Sequence, residues 1–212
     1  MIIAYHIIFG TYGFWLPNDP RGSWSDFVWA WELFRFGGPA TKVDTRQSLA
    51  ASPHDYGKRM EVKKHLKYPA VAFNGEQARA VARGFAKAVD ISKLPIYACS
   101  IMPDHVHLVL GRCHSTAEKV AKQLKQNATI RLNEEKIHPL AQFEGPPTPW
   151  AESCWKVFLY DDESVFRAIQ YVENNPIKEG KKMQQWSFVR EYQVQTTASR
   201  TLDKTAASRT LG

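Results

Sequence analysis

Cysteine is scarce in this 212-residue chain: Cys99, Cys113 and Cys154 stand singly, with no C-x-x-C pair. That pattern excludes a thiolate zinc site and a disulfide framework, and it fits a reducing compartment. Long apolar runs are missing too, none approaching the roughly 18 residues of a membrane span. The opening Met1-Ile2-Ile3-Ala4-Tyr5-His6-Ile7-Ile8-Phe9 has no basic lead and carries His6 inside it, so it reads as a strand and not as an export signal. The expected location is the cytoplasm, with no membrane partner. No Gly-rich phosphate loop is present, which speaks against chemistry driven by nucleotide hydrolysis. Repeats are absent apart from Ala-Ser-Arg-Thr-Leu at 198–202 and again at 207–211. Both copies lie in a stretch from Gln195 onward that lacks an apolar period, and 195–212 is expected to be a flexible tail.

Positive charge is what the chain has in excess. Lys and Arg number 28 against 21 Asp and Glu, a formal net charge of +7. Such a surface attracts polyanions, whether nucleic acid or acidic lipid, without choosing between them. With 44% hydrophobic residues, the length supports one packed domain, residues 1–194, with room for an elaboration.

A β-branched and aromatic run over 2–10 predicts a strand ending at Gly10. From Gly13 to about Asn74 the chain is rich in Gly, Pro, Asp, Ser and Trp without a sustained period. It is expected to be an inserted, partly folded element packed on the domain. Its Trp15, Trp24, Trp29 and Trp31, with Arg21, have two readings. Packing onto the sheet is the preferred one, since tryptophan mostly buries area; stacking on unpaired bases is the other. Over 76–89, Ala78, Val81, Ala82, Phe85 and Val89 recur at a helical period. Arg79, Arg83 and Lys87 lie on the opposite face, as a solvated surface or a phosphate contact.

Pro95 precedes a strand at 96–101, Pro103-Asp104 makes a turn, and 105–110 returns as a second strand, apolar on both faces and so central. Ser115 and Glu118 have the spacing of a capping box. The helix they open would turn Val120, Leu124 and Ala128 inward and Lys119 and Lys122 outward. A Pro-rich connector over 139–149 leads to a strand at 154–159. Asp161-Asp162-Glu163 then opens a last helix, expected to stop near Asn175 at Pro176. The order β, helix, β, β, helix, β, helix predicts an α+β, ferredoxin-like split βαβ sandwich: a four-stranded antiparallel sheet, helices on one face, and a further C-terminal helix.

Side chains alternate along a strand, so His105 and His107 share a face and can share one metal ion. The bland alternative is a pair of hydrogen-bonded core histidines. Two imidazoles leave open positions on a divalent ion, as phosphate activation requires. In the last helix Val165, Phe166, Ile169 and Val172 cluster on one side and are expected to face the core. Tyr171 lies roughly 150° from their mean direction at about 100° per residue, which is not the place of an ordinary core tyrosine. Asn175 shares its face at i+4, with small Ser164 and Ala168 leaving room for a ligand. Tyr171 thus reads as a nucleophile and Asn175 as an oxygen ligand, or the two as a surface tyrosine and a helix-ending asparagine.

The run Met102-Pro103-Asp104-His105-Val106-His107-Leu108-Val109, followed by Tyr171-Val172-Glu173-Asn174-Asn175-Pro176, resembles the HUH single-tyrosine transposases, particularly their REP-associated branch. The opening Tyr5-His6-Ile7-Ile8-Phe9 fits as well, and the likeness covers that strand and roughly residues 76–190. It implies a domain acting on single-stranded or hairpin DNA, with His105 and His107 as metal ligands and Tyr171 as nucleophile. Asn175 takes the third-ligand position, which is Gln in some members, and Mg2+ or Mn2+ is the implied ion. It also implies a 5′-phosphotyrosine intermediate with release of a 3′-hydroxyl, so that rejoining needs no external energy. A nucleoid-associated protein of the cytoplasm would result, with Arg21, Lys119 and Lys122 as candidate DNA contacts. Compact members lack the 13–74 element and act as dimers that exchange tyrosine helices. REP-associated relatives can be monomers, and a monomer is expected here ahead of a homodimer.

Two other classes compete. A non-catalytic nucleic-acid-binding module would present strand aromatics such as Tyr97 and need no metal. A metal-dependent hydrolase would use water and leave Tyr171 without a role.

Overall fold

In the computed structural model, residues 1–44, 49 and 52–194 are described; the expected tail at 195–212 lies outside them. Strands β1 (Ala4–Gly10), β2 (Ile96–Ile101), β3 (His105–Gly111) and β4 (Trp155–Leu159) form one antiparallel sheet in the order β2-β3-β1-β4. Period-two alternation divides the side chains between its faces. Ile7, Phe9, Val106, Leu108 and Leu110 point to one face, where helices α3 (Gly75–Ser92) and α4 (Ala117–Glu134) cover them. This is the split βαβ arrangement. Every residue of β3 except His105 is buried, as its central place requires. Helix α5 (Asp162–Lys178) covers the opposite face, with Val165, Ala168 and Val172 packed on Ala4, Ala98, Val109 and Leu159.

Helix α3 opens on a capping box: the Asn74 side chain accepts from Gln77 N at 2.9 Å, and Gln77 Oε1 accepts from Asn74 N at 3.0 Å. Halfway along it, Gly84 meets α4 at backbone distance. A Cβ there would lie 2.6 Å from both Ala128 Cα and Asn127 O. Glycine normally weakens a helix by up to about 1 kcal/mol, but main chain cannot give way as a flexible side chain does. Gly84→Ala is therefore expected to destabilise the chain by about 1–3 kcal/mol, read as a lower urea midpoint with an unchanged slope.

Three local expectations are corrected. Thr116, not Ser115, caps α4, its hydroxyl accepting from Lys119 N at 3.4 Å. Glu118 consequently falls one position too early for a capping box and pairs with Lys156 of β4. Helix α5 runs through Pro176 to Lys178. The missing proline N–H forfeits one bond near the helix end, while burial of both Asn175 and Pro176 and closure of the last turn onto Pro176 O favour continuation. Phe166 is 49% exposed and lies against Tyr192, whereas Ala168 takes the inward position. The inner stripe thus follows 165, 168 and 172.

The segment after β1 carries two short helices, α1 (Trp31–Gly37) and α2 (Tyr56–Lys64), around a small core of Leu16, Leu33 and Val62. It is tied to the sheet end through Val71 N on Tyr12 O at 2.9 Å and Phe73 N on Pro103 O at 2.7 Å. Two of its tryptophans do not pack onto the sheet as expected. Trp29 and Trp31 are 89% and 66% exposed, and Trp24 reaches the sheet while staying 43% exposed.

Candidate active site

Alternation along β3 turns His105 and His107 away from α3 and α4, onto the face that α5 covers. Their rings stand 4.9 Å apart, nearly perpendicular. Each has its Nδ1 engaged: His105 Nδ1 with Asp104 Oδ1 at 2.7 Å, and His107 Nδ1 with His6 Nε2 at 3.0 Å. Outer hydrogen bonds of this kind set the ring orientation and leave Nε2 for a ligand. Asn175 arrives from α5, buried, its amide nitrogen 3.5 Å from His105 Nε2. Tyr171, one turn earlier and 41% exposed, lays its ring 5.5 Å from His107 and 5.6 Å from His6. Both rings and the tyrosine belong to one chain.

Electrostatics keep the inner histidines neutral. Burial pushes His107 down to about 2, helped by the neighbouring charges of His105 and His6, and burial alone brings His6 down to about 4. Burial alone would raise the Asp104 carboxyl; the His105 hydrogen bond and charge, with Lys63, outweigh it and hold the group below its ordinary range. Asp104 is therefore a carboxylate at neutral pH and can hold the His105 N–H. Lys178 Nζ stands 4.8 Å from the Tyr171 ring centre, a cation beside the hydroxyl-bearing ring.

His6, Asp104, Phe14 and Lys178 were not among the residues singled out from sequence. His6 pairs with Val109, and Ile8 with His107, so His6 and His107 are diagonal neighbours on one face. Phe14 lies flat on His105, centroids 4.9 Å apart and planes at 22°, so the inserted segment forms one wall of the site. A lone histidine within an apolar strand was the available signal for His6; nothing local marked Phe14.

The expected basic contacts fall elsewhere. Arg21 is buried, its Nε and Nη2 donating to the two oxygens of Asp19 at 2.7 and 2.8 Å, with the guanidinium 3.6 Å over Trp15. Those contacts make it part of the insert's interior and not a free cation for DNA. Lys119 and Lys122 are exposed, but they ride on α4, across the sheet from the histidines. Arg83, on the same side, pairs with Glu135.

Among the described residues, no three His, Cys, Asp or Glu side chains converge as a full ligand set; the donors at hand are two imidazoles and an amide. Residues 63–175, just over half of the chain, match the family described as IS200-like transposases, and the chain belongs to that family. It is by that membership a DNA-cleaving transposase. The matched span holds His105, His107, Tyr171 and Asn175, whereas His6, Phe14 and Trp24 precede it. Among solved structures, the chain is similar to a REP-associated tyrosine transposase bound to a REP hairpin, at 10% identity and a TM-score of 0.45, over 84% of this chain and 68% of that one. It is also similar to a protein of Deinococcus radiodurans R1 described as a transposase, at 17% identity and a TM-score of 0.38, over 82% and 91%. No curated protein sequence matches the chain.

Proposed function

We propose that this chain cleaves and rejoins one strand of single-stranded or hairpin DNA, with Tyr171 as nucleophile and Mg2+ or Mn2+ held by His105, His107 and Asn175. The observation that carries the reading is the Tyr171 ring, displaced from the helix's buried stripe and set 5.5 Å from His107 of the same chain. The donor set fits the ion: two imidazole nitrogens, an amide that also bears an oxygen, and beside His107 the buried Ser100 hydroxyl, which has no protein partner among the described residues. When bound, the ion supplies Lewis-acid polarisation of the scissile phosphate.

The chain's own groups do the rest. Tyr171 loses its phenolic proton, its oxygen forms a bond to phosphorus, and the bond to the 3′ oxygen breaks, leaving a 5′-phosphotyrosine and a 3′-hydroxyl that can reverse the step. Lys178 offsets negative charge beside the ring. Tyr97, the strand aromatic that a purely binding module would expose, packs instead against Tyr192 with Arg190 over its ring. Because one chain supplies every named group, we infer a monomer as the acting unit, working at DNA in the cytoplasm.

The deciding test incubates the protein with labelled hairpin and single-stranded DNAs and Mg2+ or Mn2+. A denaturant-resistant protein–DNA adduct that a chelator prevents is the expected result. DNA bound without adduct or cleavage, with either ion, would overturn the reading. His6 acts here as a positioning residue, through the ring it holds. His6→Ala is expected to weaken Mn2+ binding about 10- to 100-fold, read by calorimetry, with a matching loss of cleavage. An unchanged Mn2+ affinity would leave His6 a packing residue only.

A further inference from the structure

We propose that Trp24 and Trp155 form a stacking seat for an unpaired DNA base close to the cleaved phosphate. This rests on the strand-cleavage reading above and assigns part of the substrate path to the inserted segment. The two indoles are stacked, centroids 3.8 Å apart and planes at 13°. Trp155 stands on β4 directly opposite Ile8, and Ile8 directly opposite His107. Residues opposed across antiparallel strands share a face, so Trp155 lies on the histidine face two strands from His107, or about 10 Å. At roughly 3.4 Å per stacked nucleotide, that is a reach of about three nucleotides.

The floor between the two points is open. Helix α5 seats its Val165, Ala168 and Val172 over Ala4, Ala98, Val109 and Leu159, leaving Ile8 half-buried and Val157 exposed. Trp24 is presented rigidly, although it projects from an irregular stretch. Its neighbour Ser23 is buried and bridged on both sides, Ser23 N to Thr41 O and Val43 N to Ser23 O, each at 2.8 Å. A large aromatic ring held in one orientation, stacked on one side and 43% exposed, presents a π-face without further ordering cost. Shielding an edge strand calls for no such alignment; a base slotted parallel to the indoles does.

The test measures anisotropy of a labelled hairpin carrying a single-stranded extension, with a blunt hairpin as control, in the full chain bearing Tyr171→Phe so that the strand stays whole. Adding Trp24→Ala is expected to weaken binding of the extended hairpin about 5- to 150-fold and leave the blunt hairpin unchanged, while Trp24→Phe restores most of the affinity. An abasic site walked along the extension should cost a similar factor at one position, and nothing more there once Trp24 is Ala. Because the walk needs no substitution at Trp24, it holds even if that variant misfolds. Tight binding with no sensitive position and no effect of Trp24→Ala would overturn the seat alone. Failure to bind either hairpin would overturn the cleavage reading as well.

Discussion

Tyr171→Phe is expected to abolish the covalent protein–DNA adduct and lower strand cleavage by on the order of 10⁴-fold or more, while DNA binding stays within about twofold. The substitution removes one oxygen and keeps the ring. Its contacts with His6 at 5.6 Å and His107 at 5.5 Å remain, as does the Lys178 cation over it. At 41% exposure the site tolerates the loss with less than about 0.5 kcal/mol of stability, so the variant should melt like the wild type. Denaturing gels with labelled DNA read the adduct, and thermal melts read the fold. Cleavage at the wild-type rate would hand the attack to water and remove Tyr171 from the mechanism.

His107→Ala is expected to have the second-largest effect, and of a different kind. His107 is buried between His105, His6 and Tyr171, so its removal would take one of the two proposed imidazole ligands and open a polar gap in the sheet face. Losing a ligand that stabilises developing charge by several kcal/mol corresponds to about 10³-fold or more in cleavage. Losing the partner of half-buried His6 Nε2 adds a stability cost of about 1 kcal/mol. Calorimetry should show Mn2+ binding lost, and denaturant melts should show the lowered midpoint. A folded His107→Ala chain that binds Mn2+ as tightly as the wild type would sink the ligand assignment. His105→Ala offers the comparison: its ring is 12% exposed and lies on Phe14 and beside Asp104, and the variant should lose metal with a smaller loss of stability.

How far the site was legible can be traced residue by residue. The H-x-H spacing on an apolar run placed two rings on one strand face, and the apolar stripe of the last helix left Tyr171 and Asn175 off it. Both inferences are local, since they depend on periods of 2 and 3.6 that operate within one element. The same rule misplaced Phe166 and Ala168, because the stripe's exact direction depends on what the helix packs against. Arg21 read as a free cation because sequence shows a charge without its burial; Asp19, two residues away, occupies its donors. Lys119 and Lys122 were correctly outward, but outward on the far side of the sheet.

The sequence by itself determined the four strands, the three long helices, the histidine pair and the membership in a transposase family, all of which rest on patterns within short stretches of chain. Only the tertiary structure decided that α5 lies over the histidine face, that His6 bonds His107 across 101 residues of chain, and that Phe14 and Trp24 of the insert flank the site. The physical reason is register: which side chains meet across a sheet is set by how strands pair and what covers them, and neither strand carries that information alone.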